Sequence, residues 1–140
     1  MTKPNDCYAY FAVKSETLEI EKLTALLGVA PTKAWAKGDL TPTGRERQFS
    51  SWSLHLRRSR TNELEEHVEN VLLQMDANSE AFLGVSTTYG GIMQLVGEFH
   101  EIGVGLHFTK PVIDRLAHYG LCVDFDAYYL YSDARECSES

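Results

Sequence analysis

Asp124 and Asp126, with Tyr128 next in the same phase, form the spacing in this chain that most invites chemistry. On an extended strand alternate side chains share a face, which would hold the two carboxyl groups about 6 to 7 Å apart. Carboxylates that close can split their pKa values for general acid and base work, or hold a divalent ion. They can equally be solvent-facing charges that keep a sheet edge from pairing with another chain, and with no arginine, histidine or further acid placed by sequence to complete a site, the edge role is the expectation. His55, His67, His100, His107 and His118 are scattered. Glu98, His100 and His107 would converge as metal ligands only if a hairpin brought them together, and ordinary polar strand positions explain them more simply. His67 and His118 are expected at solvated positions or at the margin of the core.

Trp35 stands in a loop between Lys33 and Lys37, with Asp39 following. A large aromatic in that setting is either a lid on the core or an exposed binding anchor of the kind that dominates interface energies. Arg45, Arg47, Arg57, Arg58 and Arg60 make a basic cluster suited to phosphate, but Glu63, Glu65, Glu66 and Glu69 follow directly and can neutralise it. Cys7, Cys122 and Cys137 are odd in number and form no Cys-x-x-Cys pair. Cys7 and Cys122 are expected as small hydrophobes in strands, Cys137 as an exposed thiol. The chain holds no Gly-rich phosphate loop, Gly-x-Ser-x-Gly, His-Glu-x-x-His or EF-hand loop, so no catalytic residue, metal or cofactor is assigned.

The elements that must position these groups follow from periodicity. Residues 7–13 alternate Cys, Ala, Phe and Val against Tyr8, Tyr10 and Ala12, a strand apolar on both faces and therefore central. Ile20, Leu23 and Leu27 recur at helical spacing behind Thr17, with Gly28 suited to close the helix. Residues 31–47 read as a long loop. Residues 49–58 read as a half-buried strand, Trp52, Leu54 and Leu56 inward and Ser51, Ser53, His55 and Arg57 toward water. Leu64, Val68, Val71, Leu72 and Met75 make the clearest helical stripe, and residues 79–89 a shorter helix before Gly90-Gly91. Residues 92–100 and 104–108 are expected as a hairpin, then a helix with Pro111 in its first turn, and residues 121–131 as the last strand. These elements predict an α+β class, a ferredoxin-like variant with a largely antiparallel sheet of about five strands and helices packed on one face. Residues 7–131 would form the single domain, with an N-terminal extension at 1–6 and a mobile tail at 132–140.

The 140 residues suffice for one domain, and 44% hydrophobic against 24% charged residues is the composition of a folding chain. Lys and Arg total 13 against 20 Asp and Glu, a formal charge of −7, which disfavours nucleic acid and anionic lipid and favours a basic protein partner. The start of the chain lacks a signal-peptide core and no run approaches a membrane span, so a cytoplasmic protein without membrane attachment is expected.

Leu26-Leu27-Gly28-Val29-Ala30-Pro31-Thr32, then Trp35-Ala36-Lys37-Gly38-Asp39, the Trp52-x-Leu54 strand and Asp124-Phe125-Asp126-Ala127-Tyr128 come in an order that resembles a bacterial family, domain-of-unknown-function family 4279. The resemblance covers nearly the whole chain and implies a small bacterial cytosolic protein, in a size range that often includes immunity proteins that neutralise toxins. It supplies no catalytic residues to carry over. The resulting expectation is a non-catalytic, acidic protein-binding domain, an immunity-type inhibitor of a basic toxin or enzyme, with Glu65, Glu66 and Glu69 or Asp124 and Asp126 meeting basic groups and Trp35, Lys37, Asp39 and Tyr128 at the contact. The alternative class is a small-ligand-binding protein or enzyme that uses the carboxylate pair with Tyr128 and His107. A homodimer through sheet edges is the third.

Overall fold

The computed structural model describes residues 5–56, 63–100 and 105–130. Among these residues run five strands and four helices in the order β1 (Asp6–Ser15), α1 (Ile20–Leu27), β2 (Lys33–Trp35), β3 (Ser50–His55), α2 (Leu64–Asp76), α3 (Ser79–Tyr89), β4 (Ile92–Phe99), α4 (Lys110–His118) and β5 (Cys122–Tyr129). The strands form one sheet in the order β2-β3-β1-β4-β5. Only the β4–β5 pair is parallel; the other three pairings are antiparallel, and the class is α+β.

β1 lies at the centre because both its neighbours need a partner and its sequence can be covered on either side. Cys7, Ala9, Phe11 and Val13 sink into the core, joined from β3 by Trp52 and Leu54 and from β4 by Met93, Leu95 and Phe99. All four helices add buried side chains to this one cluster, so a single sheet face carries the hydrophobic core. Phe11, Trp52 and Phe82 meet edge to face with ring centroids 5.4 to 6.4 Å apart. The Trp52 indole N–H donates to Thr24 Oγ1 of α1 at 3.0 Å, which removes the one polar cost of burying it. α1 closes on Gly28 at φ 73°, a left-handed position that suits glycine.

The structure differs from the sequence expectations at several places. β3 is buried on both sides: Ser51 and Ser53 are 3% and 5% exposed. The strand is interior to the sheet, its serines are short enough for larger neighbours to close over, and Ser53 Oγ lies 3.3 Å from both Lys33 O and His55 Nε2. The expected hairpin strand is not formed over its described part, Gly105 to Phe108, and residues 101–104 lie outside the described set. α4 instead makes a crossover that buries Val112, Leu116 and Tyr119, and so β5 returns parallel to β4. His67 is fully buried on α2, because its position falls on the stripe of Leu64, Val68 and Val71. Cys122 is exposed because it opens an edge strand. Cys137 and the tail lie outside the described residues.

The 31–47 segment has defined structure. β2 occupies part of it, Leu40 bridges Glu46, and Gly38 N–H and Arg47 N–H bond back to Arg47 O and Asp39 O at 2.9 and 2.8 Å. The chain is also anchored before the strand expected at Cys7, since β1 starts at Asp6 and Asn5 Oδ1 accepts the His100 N–H at 2.8 Å. No helix among the described residues is long and apolar enough to cross a membrane.

Candidate functional site

Strand register decides which side chains share the face opposite the core. Tyr10 pairs with His55 on one side and Gln94 on the other; Gln94 pairs with Asp124, and Val96 with Tyr8 and Asp126. Glu98 pairs with Asp6 and Tyr128, while Trp35 pairs with Ser51. Paired residues point the same way, so Trp35, His55, Tyr8, Tyr10, Asp124, Asp126 and Tyr128 all decorate the face turned away from the helices. Trp35 stands at its β2 end and the two aspartates at its β5 end.

Between them lies an aromatic ladder. The Tyr10 and His55 rings stack with centroids 4.1 Å apart and planes 9° from parallel, and Tyr8 lies 6.2 Å from each. Burial, then the nearby Tyr8, Asp126 and Tyr128, raises the Tyr10 phenol above its ordinary pKa. Of the β5 acids, Asp126 is the one that acts on this phenol, and its effect is smaller than that of burial. A shallow cavity of about 300 Å³ opens beside the ladder, lined by Tyr8, Ala9, Lys33, His55 and Leu56.

β5 itself is exposed along both faces, with Val123 45%, Phe125 39% and Tyr128 52% accessible. Its inner phase holds Val123, Phe125, Ala127 and Tyr129, paired with Met93, Leu95, Gly97 and Phe99. Gly97 lets the Phe99 ring lie down on the strand, where a Cβ would collide with it. The ring then reaches Phe125 at 6.2 Å and Tyr129 at 5.5 Å. These three rings, with Leu106, His107, and Glu63 to Glu65 at the start of α2, line a cleft of about 290 Å³ beneath β5.

The remaining sequence candidates are dispersed. The Trp35 ring lies under the Arg47 guanidinium, 3.9 Å from Cζ to ring centroid, so this part of the basic cluster is engaged within the chain. Asp39 Oδ2 accepts the Ala36 N–H at 2.8 Å and closes the turn. Lys37 donates its backbone N–H to Ser50 Oγ and places its Nζ 3.8 Å from Glu16, an exposed pair of little energetic weight. Glu65 accepts the Thr109 N–H where α4 begins, and Glu66 and Glu69 are exposed on α2, in the helix layer. The two acidic groups therefore sit on opposite sides of the sheet. His107 lines the cleft beneath β5, away from Asp124 and Asp126, and no group of three His, Cys, Asp or Glu able to hold a metal occurs among the described residues.

Sequence reasoning misses Tyr8, Tyr10 and His55 as site residues. The available signal is two tyrosines in the non-core phase of a central strand, where solvent exposure would predict charge; their histidine neighbour depends on register and cannot be read locally. A family model described as "Domain of unknown function (DUF4279)" matches residues 5–130. No curated protein and no solved structure matches the chain.

Proposed function

The chain belongs to the DUF4279 family, and on that premise we propose that it is a non-catalytic binding domain that receives a basic protein partner on the helix-free face of its sheet. Asp124, Asp126 and Tyr128 on the exposed last strand, on the same sheet face as Tyr8 and Tyr10 with β4 between, in a chain of net charge −7, carry the proposal. Carboxylates steer a cationic partner and aromatic rims supply contact area. The action is occlusion of the partner's own site, as an immunity-type protein does to a toxin, in the bacterial cytoplasm.

Affinity capture from cells that encode the protein, followed by mass spectrometry, tests this with two variants. Asp124→Asn/Asp126→Asn/Tyr128→Ala should lose a basic partner that the wild type retains at low salt, whereas Glu65→Gln/Glu66→Gln/Glu69→Gln should keep it. A partner retained by the first variant and lost by the second would move the contact to the helix layer and sink the open-face assignment.

The stacked Tyr8–Tyr10–His55 ladder beside its cavity favours one second function, recognition of a small planar ligand. Quenching of tyrosine fluorescence by such a ligand, abolished in Tyr10→Ala, would support it.

A further inference from the structure

The backbone of β5 offers recognition of its own. Cys122 N–H donates to Gly91 O at 3.0 Å and Leu130 N–H to Phe99 O at 2.7 Å, which sets the phase of the parallel ladder. In a parallel pair the N–H and C=O of one residue point to the same side, so the even-numbered residues bond to β4. Val123, Phe125 and Ala127 direct theirs outward. Among the described residues β5 is the end of the sheet, so this edge is a template for another extended segment.

The side chains along that edge are sorted by phase. Asp124 and Asp126 stand above the edge; Val123 and Phe125 stand below it, with the aromatic cleft beneath. We propose that β5 captures its partner by strand addition, pairing with an extended segment that alternates Lys or Arg with apolar residues. This rests on the basic-partner reading above and specifies how the partner is held. The added strand would place its cations beside the two aspartates and its apolar side chains against Phe125 and the cleft, with main-chain bonds for affinity and the alternation for specificity.

Charge selects this occupant over two others. A second copy pairing antiparallel through β5 would bring the aspartates of both copies together. The chain's own last residues, 132–140, carry Asp133, Glu136 and Glu139 against Arg135 alone, and so repel the same acids.

A fluorescent acetylated peptide of alternating valine and lysine is the probe, compared with an isomer that groups its valines and lysines in blocks and with a version N-methylated on the edge that would face β5. The alternating peptide should bind about tenfold more tightly than either control, and should protect the Val123, Phe125 and Ala127 amides from hydrogen exchange. Asp124→Lys/Asp126→Lys should reverse the preference toward alternating valine and glutamate. Equal binding of all three lysine peptides, lost in the charge-reversed variant, would overturn strand addition while leaving a basic partner in place. No binding of any lysine peptide, with a basic protein still captured through the open face, would also overturn it. Concentration-dependent self-association that protects the same three amides would assign the edge to a second copy instead.

Discussion

The two ends of the sheet are built differently. At one end β2 is three residues long, tied to β3 by Thr32 N–H to Ser53 O at 2.8 Å, and its Trp35 lies under Arg47. At the other end β5 runs for eight residues, exposed on both faces, with acid and apolar side chains in opposite phases. Short length, a turn and a covering cation blunt the first edge against pairing; among the described residues no further strand pairs with the second, which carries two aspartates. A sheet short and covered at one end and long at the other is the asymmetry from which the proposed contact with another chain is argued.

Four measurements bear on this contrast. Trp52 anchors the β2 side: it is fully buried, pairs with Ala34 and bonds Thr24. Trp52→Ala should cost about 3 to 5 kcal/mol in chemical denaturation, and a loss below about 1 kcal/mol would mean that this end is not firmly held. On the β5 side, Gly97→Ala drives a Cβ into the Phe99 ring and should cost about 1 to 3 kcal/mol, with the aromatic cleft disturbed in NMR spectra. An unperturbed Phe99–Tyr129 contact in that variant would show that the ring does not need the glycine.

Arg47→Ala uncovers Trp35 and should cost only about 0.5 to 1 kcal/mol, with a shift in Trp fluorescence as the check. The smallest effect concerns alkali. The Tyr10 phenol titrates above its ordinary value in the fold, so its stabilising contribution is present below that ordinary value, about 10, and is lost as pH rises through its folded value. Phenolate absorbance should therefore include late-titrating tyrosines, of which Tyr10→Phe removes one while Tyr119, raised by burial and its bond to Asp76, remains; a late phase of unchanged amplitude would show that burial and its neighbours do not hold the Tyr10 phenol up.

Much of the architecture is legible in the sequence. Alternation at residues 7–13 locates the central strand, the stripe from Leu64 to Met75 locates α2, and Gly28 and Gly90 mark helix ends, because each signal is carried by residues near one another in the chain. The strand expected at 104–108 fails over its described part, 105–108, for the converse reason. A short apolar run cannot reveal whether the next helix will need that length to cross back over the sheet.

That Asp124, Asp126 and Tyr128 share a strand face, and that the chain is acidic, can be read from the residues alone, since period-two geometry and charge are local or additive properties. Long-range pairing is what put Tyr8, Tyr10, His55 and Trp35 on this same face, set Glu66 and Glu69 in the helix layer, and made β5 the end of the sheet among the described residues. Those facts depend on strand order and register, which are set by how distant segments bury their apolar faces together.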